Sequence, residues 1–195
     1  MPRQGLTTAR LVEAAMAMAD EIGFAELTLS ALARQVDVRV ASLYAHIASA
    51  EDLKTRVALA ALDRLAERAT EAVAGRAGKD ALVAIADAHR EFAAAHPGLF
   101  MATRHPLGPG EAADSGGARL ARSMRAMLGG YGLAEDEAVH AIRLIGSALL
   151  GFITLETAGS FAHSEPPPDA SWTRMLDALD ATLRGWTRPE PGKEQ

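Results

Sequence analysis

The chain contains no cysteine. That single absence removes disulfide bridges, thiolate metal sites and cysteine nucleophiles together, and it is compatible with a reducing cytoplasm. Long apolar runs are also missing. The longest uncharged one lies between Arg143 and Glu156, short of the roughly 20 residues a membrane helix needs, and it reads as a buried helix. The N-terminus, MPRQGLTTARL, has no apolar core of the signal-peptide kind, so export is not indicated and a cytoplasmic location is expected. There is no Gly-x-Ser-x-Gly elbow, phosphate-binding loop or dinucleotide fingerprint, and no internal repeat or heptad run. Neither an enzyme nor a cofactor is indicated.

An excess of positive charge is lacking as well. The formal net charge is −5, whereas domains that bind nucleic acid are often basic. The deficit is unevenly spread. Over residues 1 to 60, Arg3, Arg10, Arg34, Arg39, Lys54 and Arg56 are offset by a similar number of acids, so most of the negative excess lies further along. A head of that kind has modest nonspecific affinity, with a salt dependence set by a few phosphate contacts per subunit.

What is present is helical periodicity. With 195 residues, 49% of them apolar, the chain can bury a sizeable core in one or two domains. Thr28 is a good N-cap, and Leu29, Leu32, Ala33 and Val36 fall on one stripe of a short helix. Asp37 and Val38 make a two-residue turn, where Asp tolerates left-handed backbone less readily than Gly. From Arg39 to Ile47, Val38, Leu43 and Ile47 are kept for packing, which leaves Arg39, Val40, Ser42 and Tyr44 on other faces. Ser49 opens a long helix to about Ala74, with Glu51 and Asp52 in its first turn, where the helix dipole favours acids. Two short helices joined by a tight turn, with small and polar residues early in the second, suit a recognition helix entering a major groove. Ahead of them, Thr7 or Thr8 caps a first helix carrying Leu11, Ala15, Met18 and Ile22 up to Gly23. Residues 1 to 6 read either as an ordinary disordered terminus or as an arm whose Arg3 can reach a minor groove.

The string Leu29-x-x-Leu32-Ala33-x-x-Val36-x-Val38, then Leu43-Tyr44-x-His46-Ile47-x-Ser49-x-Glu51-x-Leu53, closely resembles the N-terminal signature of the TetR family of transcriptional regulators. The resemblance implies base contacts from Arg39, Val40 and Ser42, with Tyr44 and His46 on the phosphate backbone and Thr28 near a phosphate. The chemistry agrees with those roles. Arg39 can donate two hydrogen bonds to guanine, Val40 can touch a thymine methyl, and Ser42 can reach a base or a phosphate. Four positions depart from the family pattern: Asp37 and Ala41 stand where glycine is usual, Ile47 where an aromatic is usual, and Ala50 where a lysine commonly meets phosphate. Lys54, one turn later, is the candidate substitute.

Further along, helices are expected over Lys79 to Ala95, Ala118 to Gly130, Glu135 to Gly159 and from Ser171 onward, about nine in all. Between them, His96-Pro97-Gly98-Leu99-Phe100 resembles an element of one TetR C-terminal domain type. Residues 104 to 118 read as a flexible loop and Ser160 to Ala170, with three prolines, as an extended connector. Pro189, Pro191 and Gly192 leave a frayed tail. Asp87, His89 and Glu91 alternate at two-residue spacing, which diverges on a helix and makes no shared metal site. Phe92, Phe100, Met101, Met124, Met127, Tyr131 and Phe152 each read individually as core, but together they are an adaptable apolar set that could line the effector pocket the family implies. A two-fold dimer, also implied by the family, would use Gly146, Leu149, Ile153, Trp172, Leu176, Leu179, Leu183 and Trp186 in a four-helix bundle.

The expectation is therefore an all-α regulator. Residues 1–48 would be the helix-turn-helix domain and 49–195 a ligand-binding and dimerisation body. As a homodimeric repressor it would meet near-palindromic double-stranded operator DNA and answer to a small apolar or amphipathic effector, without a membrane partner. The alternative is a helical protein-interaction module that has lost specific DNA binding.

Overall fold

Helix boundaries follow from capping chemistry. A computed structural model describes residues 6–186; Arg3 and the tail prolines lie outside the described residues. Within that span the chain forms ten α-helices: α1 Thr8–Ile22, α2 Leu29–Gln35, α3 Val40–Leu43, α4 Ala50–Val73, α5 Gly78–Ala95, α6 Pro97–Ala102, α7 Pro109–Asp114, α8 Gly116–Gly129, α9 Glu135–Thr157 and α10 Pro168–Arg184. A single 3-10 turn spans Phe24–Glu26. Thr7 Oγ1 accepts from the Arg10 N–H at 3.3 Å and Thr28 Oγ1 from the Ala31 N–H at 3.1 Å, so each hydroxyl satisfies a donor the helix leaves open. At the head of α4 the capping is reciprocal. Ser49 Oγ accepts from the Asp52 N–H at 3.0 Å, and Asp52 Oδ2 accepts from the Ala48 N–H at 2.8 Å.

Two glycine- and proline-rich stretches are more ordered than their composition suggests. Residues 104 to 118 contain α7, which is why ten helices form where about nine were expected. Pro109 sits at a first helical position, and Glu111 Oε2 accepts from the Gly108 N–H at 2.9 Å. Gly116 then opens α8 against α4, where a Cβ would stand 2.2 Å from the Leu62 carbonyl oxygen. That glycine serves close packing, not flexibility. Likewise α10 starts at Pro168, inside the expected connector, because proline is tolerated in a first helical turn.

By packing, the chain divides into two compact units: residues up to Arg68 with Glu91–Arg119, and Ala69–Arg90 with the chain from Leu120 onward. The grouping differs from a boundary at residue 48, because α6 packs on α1. The first unit is centred on Leu11, Met16, Leu27, Leu32, Leu43, Ile47, Leu53 and Phe92, all essentially inaccessible. Ile22, expected on the buried stripe of α1, is instead exposed at the helix end.

The second unit is built on Leu82, Ile85, Ala141, Ile145, Leu149, Ile153, Trp172, Leu176 and Leu183. Arg90 is its polar hub: Nε donates to Glu156 at 2.8 Å and Nη2 to Asp169 at 2.7 Å. The guanidinium also lies 5.1 Å from the Trp172 ring and 5.9 Å from Phe152. The Glu156 bond, ahead of the others, holds Arg90 protonated well above its ordinary range. As a 23-residue helix of mean hydropathy 1.7 over its most apolar window, α9 passes the length and composition test for crossing a membrane, although its central uncharged run does not. Here Ala138, Ala141, Ile145, Leu149 and Ile153 make one of its faces part of the unit's own core.

Candidate nucleic-acid interface

The turn between α2 and α3 decides where the recognition residues point. Asp37 adopts φ +53°, the left-handed conformation the sequence demanded of it. The Val38 N–H then reaches back to the Ala33 carbonyl at 3.0 Å, closing the end of α2 in a Schellman-type cap with Asp where Gly is usual. Regular helix in α3 runs only four residues, shorter than the expected Arg39 to Ile47. One more turn follows, in which the His46 and Ile47 N–H groups donate to Leu43 O at 2.8 and 2.9 Å. Leu43 and Ile47 are fully buried, each stabilising the docking of this segment by about 1.5–3 kcal/mol.

With that face anchored, Arg39, Ser42 and Tyr44 are exposed, Tyr44 at 59% of its surface, and Val40 and His46 are half-buried. Thr28 is exposed at the start of α2. Thr8 Oγ1 donates to the His46 carbonyl at 3.5 Å and ties the end of the recognition segment to α1. Arg39 and Arg34 make no ion pair among the described residues. Lys54 is committed differently. Its Nζ donates to Ala25 O at 3.1 Å and sits 5.7 Å from the Phe24 ring centre, so it fastens the 3-10 turn to α4. Arg56 pairs with Asp52 at 2.8 Å. Counted in full, residues 1–60 hold six basic side chains against seven acids, Glu13 included.

The contact of α6 with α1 was not foreseen from spacing. Asp20 Oδ1 accepts from the Leu99 N–H at 3.0 Å, and Oδ2 lies 2.8 Å from His96 Nδ1. One carboxylate of α1 therefore caps the first turn of α6, whose own N-cap position, His96, provides no capping side chain. A Cβ on Gly98 would fall 1.7 Å from Ala19 O. Past the other end of α6, His105 Nε2 lies 3.2 Å from Glu51 Oε1, with its ring edge-on to Phe24 at 5.6 Å. The only sequence signal was an Asp in the last turn of α1 together with a glycine after His-Pro, and neither has helical periodicity.

The other expected site residues divide between the units. In the first, Phe92 and Phe100 are buried while Met101 is 52% exposed. In the second, Met124 and Met127 are buried, Phe152 meets the Trp172 ring edge-on with centroids 5.1 Å apart, and Tyr131 donates to Asp180 at 2.8 Å. Burial, then the bond to Asp180, pushes the Tyr131 hydroxyl above its usual range. Arg184, the largest influence on Asp180, holds that carboxyl below its own. Of the expected interface residues, Leu149, Ile153, Trp172, Leu176, Leu179 and Leu183 are covered within their own chain, Trp186 donates to Glu137 at 2.8 Å, and Gly146 is exposed. An open groove of about 540 Å³ runs along α10, lined by Pro166, Ala170, Ser171, Arg174, Met175 and Ala178.

A three-helix head that buries one side of a short second helix and offers the other to solvent is a helix-turn-helix DNA-binding unit. Residues 82–179 match the family profile described as "Tetracyclin repressor-like, C-terminal domain". The chain is 37% identical to the uncharacterized HTH-type transcriptional regulator Rv0681 of Mycobacterium tuberculosis over 91% of its length and 82% of the relative's. Its fold is similar to that of a possible TetR family regulator from Streptomyces coelicolor A3(2), with a TM-score of 0.69 and 24% identity over 91% of this chain and 98% of that one. It is also similar to a TetR variant from Acinetobacter baumannii AYE crystallised in complex with minocycline: TM-score 0.71 and 22% identity over 94% of this chain and all (100%) of the other. The chain belongs to the TetR family and is a DNA-binding transcriptional regulator.

Proposed function

We propose that this regulator is a one-component repressor. As a homodimer it would present two α3 segments to successive major-groove faces of a near-palindromic operator in the cytoplasm, and it would perform no catalysis. The observation that carries this reading is the exposed row Arg39, Ser42 and Tyr44 on a segment anchored by Leu43 and Ile47. Arg39 reads guanine, Val40 a thymine methyl and Ser42 a base or phosphate, while Tyr44 and His46 contact the backbone and Thr28 lies near a phosphate. Lys54 contributes through the packing of the head. With Lys54 and Arg56 engaged and Ala50 uncharged, each head holds few phosphates, so affinity depends on two heads acting together.

The dimer face proposed here is the side of the last two helices that the chain leaves uncovered. On α9 that side carries Leu144, Ser147, Gly151 and Leu155, with the two leucines 40% and 48% exposed; on α10 it carries Ala170, Arg174, Ala178 and Ala181. Small residues at helical spacing allow close approach of another helix, and the α10 groove belongs to the same side. The buried stripe from Leu149 to Leu183 supports that face from beneath. An apolar or amphipathic small molecule, in keeping with the minocycline held by the A. baumannii protein, would act on the adaptable body residues and shift the population of DNA-competent dimers.

Selection of random duplex DNA with the purified chain tests the reading. The expected product is an enriched inverted repeat whose half-sites lie about one helical turn apart. Enrichment of no repeat at low salt, without effector, favours the protein-interaction alternative and overturns the repressor.

A further inference from the structure

Residues that never meet DNA can still set how well a head meets it. The Asp20 carboxylate makes two bonds to one neighbour, accepting from the Leu99 N–H at 3.0 Å and from His96 Nδ1 at 2.8 Å. Both partners are in or beside the first turn of α6, and both bonds leave the last turn of α1. Between them Gly98 brings α6 onto the α1 backbone, with no room for a Cβ against Ala19 O. The contact is thus directional: a carboxylate on one helix fills the open N–H of another at backbone-contact distance. At the far end of α6, His105 meets Glu51 and Thr55 on the first turns of α4, at 3.2 and 3.5 Å. The α6 segment is therefore tied to α1 at its start and to α4 just past its end, and on the α1 side a single carboxylate, that of Asp20, makes both bonds.

We infer that Asp20 is a positioning residue for operator recognition: by capping α6 it fixes the angle at which α1, and α3 tied to it through Thr8 and His46, is presented to DNA. The inference rests on the dimeric repressor reading. Without the carboxylate the head samples a range of angles, and apparent affinity falls in proportion to the fraction of dimers with both heads correctly set. An asparagine keeps the arrangement, because its oxygen accepts from Leu99 while its amide donates to the imidazole.

The test uses full-length Asp20→Ala and Asp20→Asn, the inverted repeat selected with the wild-type chain, and fluorescence anisotropy. Because the chain has no cysteine, a Gln35→Cys background gives one exposed labelling site per head for a pulsed electron paramagnetic resonance distance between the two heads. Asp20→Ala is expected to sediment as a dimer with wild-type helix content, to show a broadened head-to-head distance, and to bind the repeat about tenfold more weakly, as for a competent fraction of roughly a tenth. Asp20→Asn is expected within about threefold of wild type with a narrow distance. A narrow distance and unchanged affinity in Asp20→Ala overturn the inference, as does an Asp20→Asn chain as impaired as Asp20→Ala. If Asp20→Ala fails to fold, His96→Ala removes one of the two bonds: an intermediate broadening supports the inference and wild-type behaviour refutes it. A wild-type chain that is monomeric, or that selects no repeat, is recognised before any variant is made and overturns the underlying reading along with this one.

Discussion

Gly98→Ala is the smallest change that probes the seating of α6 on α1. An added Cβ would lie 1.7 Å from the Ala19 carbonyl oxygen, 2.2 Å from its carbon and 2.7 Å from the Asp20 nitrogen, all backbone atoms. Backbone inside a helix has no rotamer with which to yield, so α6 must retreat by roughly 1.5 Å to restore ordinary contact. A retreat of that size stretches the bonds from Asp20 to Leu99 and His96, now 3.0 and 2.8 Å, beyond useful length. Overpacking of this kind costs about 1–3 kcal/mol, and the lost bonds to a partly exposed carboxylate add about 1–2 kcal/mol. Replacing a helical glycine returns at most about 1 kcal/mol. The net expectation is a destabilisation of about 1–4 kcal/mol, read as a fall of roughly 2–16 °C in the first thermal transition for a chain of this size. Gly110→Ala is the control: it is also helical, but nothing lies within 4 Å of its added Cβ, so neutral or slightly raised stability is expected. A Gly98→Ala chain as stable as the wild type would show that α6 does not depend on backbone contact with α1, and that Asp20 does not hold α6 at a fixed seat.

Arg39→Ala is expected to weaken binding to the selected repeat by about 1–3 kcal/mol and to relax the preference at one base pair, measured by anisotropy on a panel of single-base variants; equal loss on every duplex would assign Arg39 to phosphate. Leu144→Glu with Leu155→Glu should give monomers in sedimentation without loss of helix, because both side chains are exposed in the chain itself, and an unchanged dimer would move the interface elsewhere. Asp180→Asn should lower stability at neutral pH. Since Arg184 and Tyr131 hold the Asp180 carboxyl below its usual range, that stabilisation is present above about pH 4 and fades as pH falls through the depressed folded-state value. A wild-type to variant difference in urea midpoint that stays constant from pH 7 to pH 3 would contradict the assignment.

What could be read from the sequence, and what could not, divides along the range of the interactions involved. Thr7, Thr28 and Ser49 are local caps, each satisfied within three residues; spacing placed Thr28 and Ser49, and of the two candidates Thr7 and Thr8 the structure selects Thr7. The strained Asp37 was equally legible, because a two-residue turn between apolar stripes leaves few backbone solutions. The loop predicted over 104–118 misled because glycine and proline have two meanings. Pro109 starts a helix, and Gly116 admits the α4 backbone, a partner more than fifty residues away that no local pattern reveals. Tertiary reach also bears on Lys54: its place one turn after Ala50 suggested a substitute phosphate contact, and its ammonium group also donates to the Ala25 carbonyl, 29 positions earlier.

The apolar stripe of α10 was legible as a stripe but not as a destination. Burial within a chain and burial against a second copy demand the same residue types, so Trp172, Leu176, Leu179 and Leu183 satisfy either reading at the level of pattern. Geometry separates them, because those four already contact their own chain. What remains uncovered is the complementary side, in which small residues alternate with Leu144, Leu155 and Arg174. The same geometry decides which substitutions are informative. A glutamate at Leu179 would bury an unpaired charge in the second unit, at a cost of several kcal/mol, and the chain would lose its dimer by unfolding, whatever the interface. Only substitutions on the uncovered side, with helix content held, can distinguish a lost partner from a lost fold.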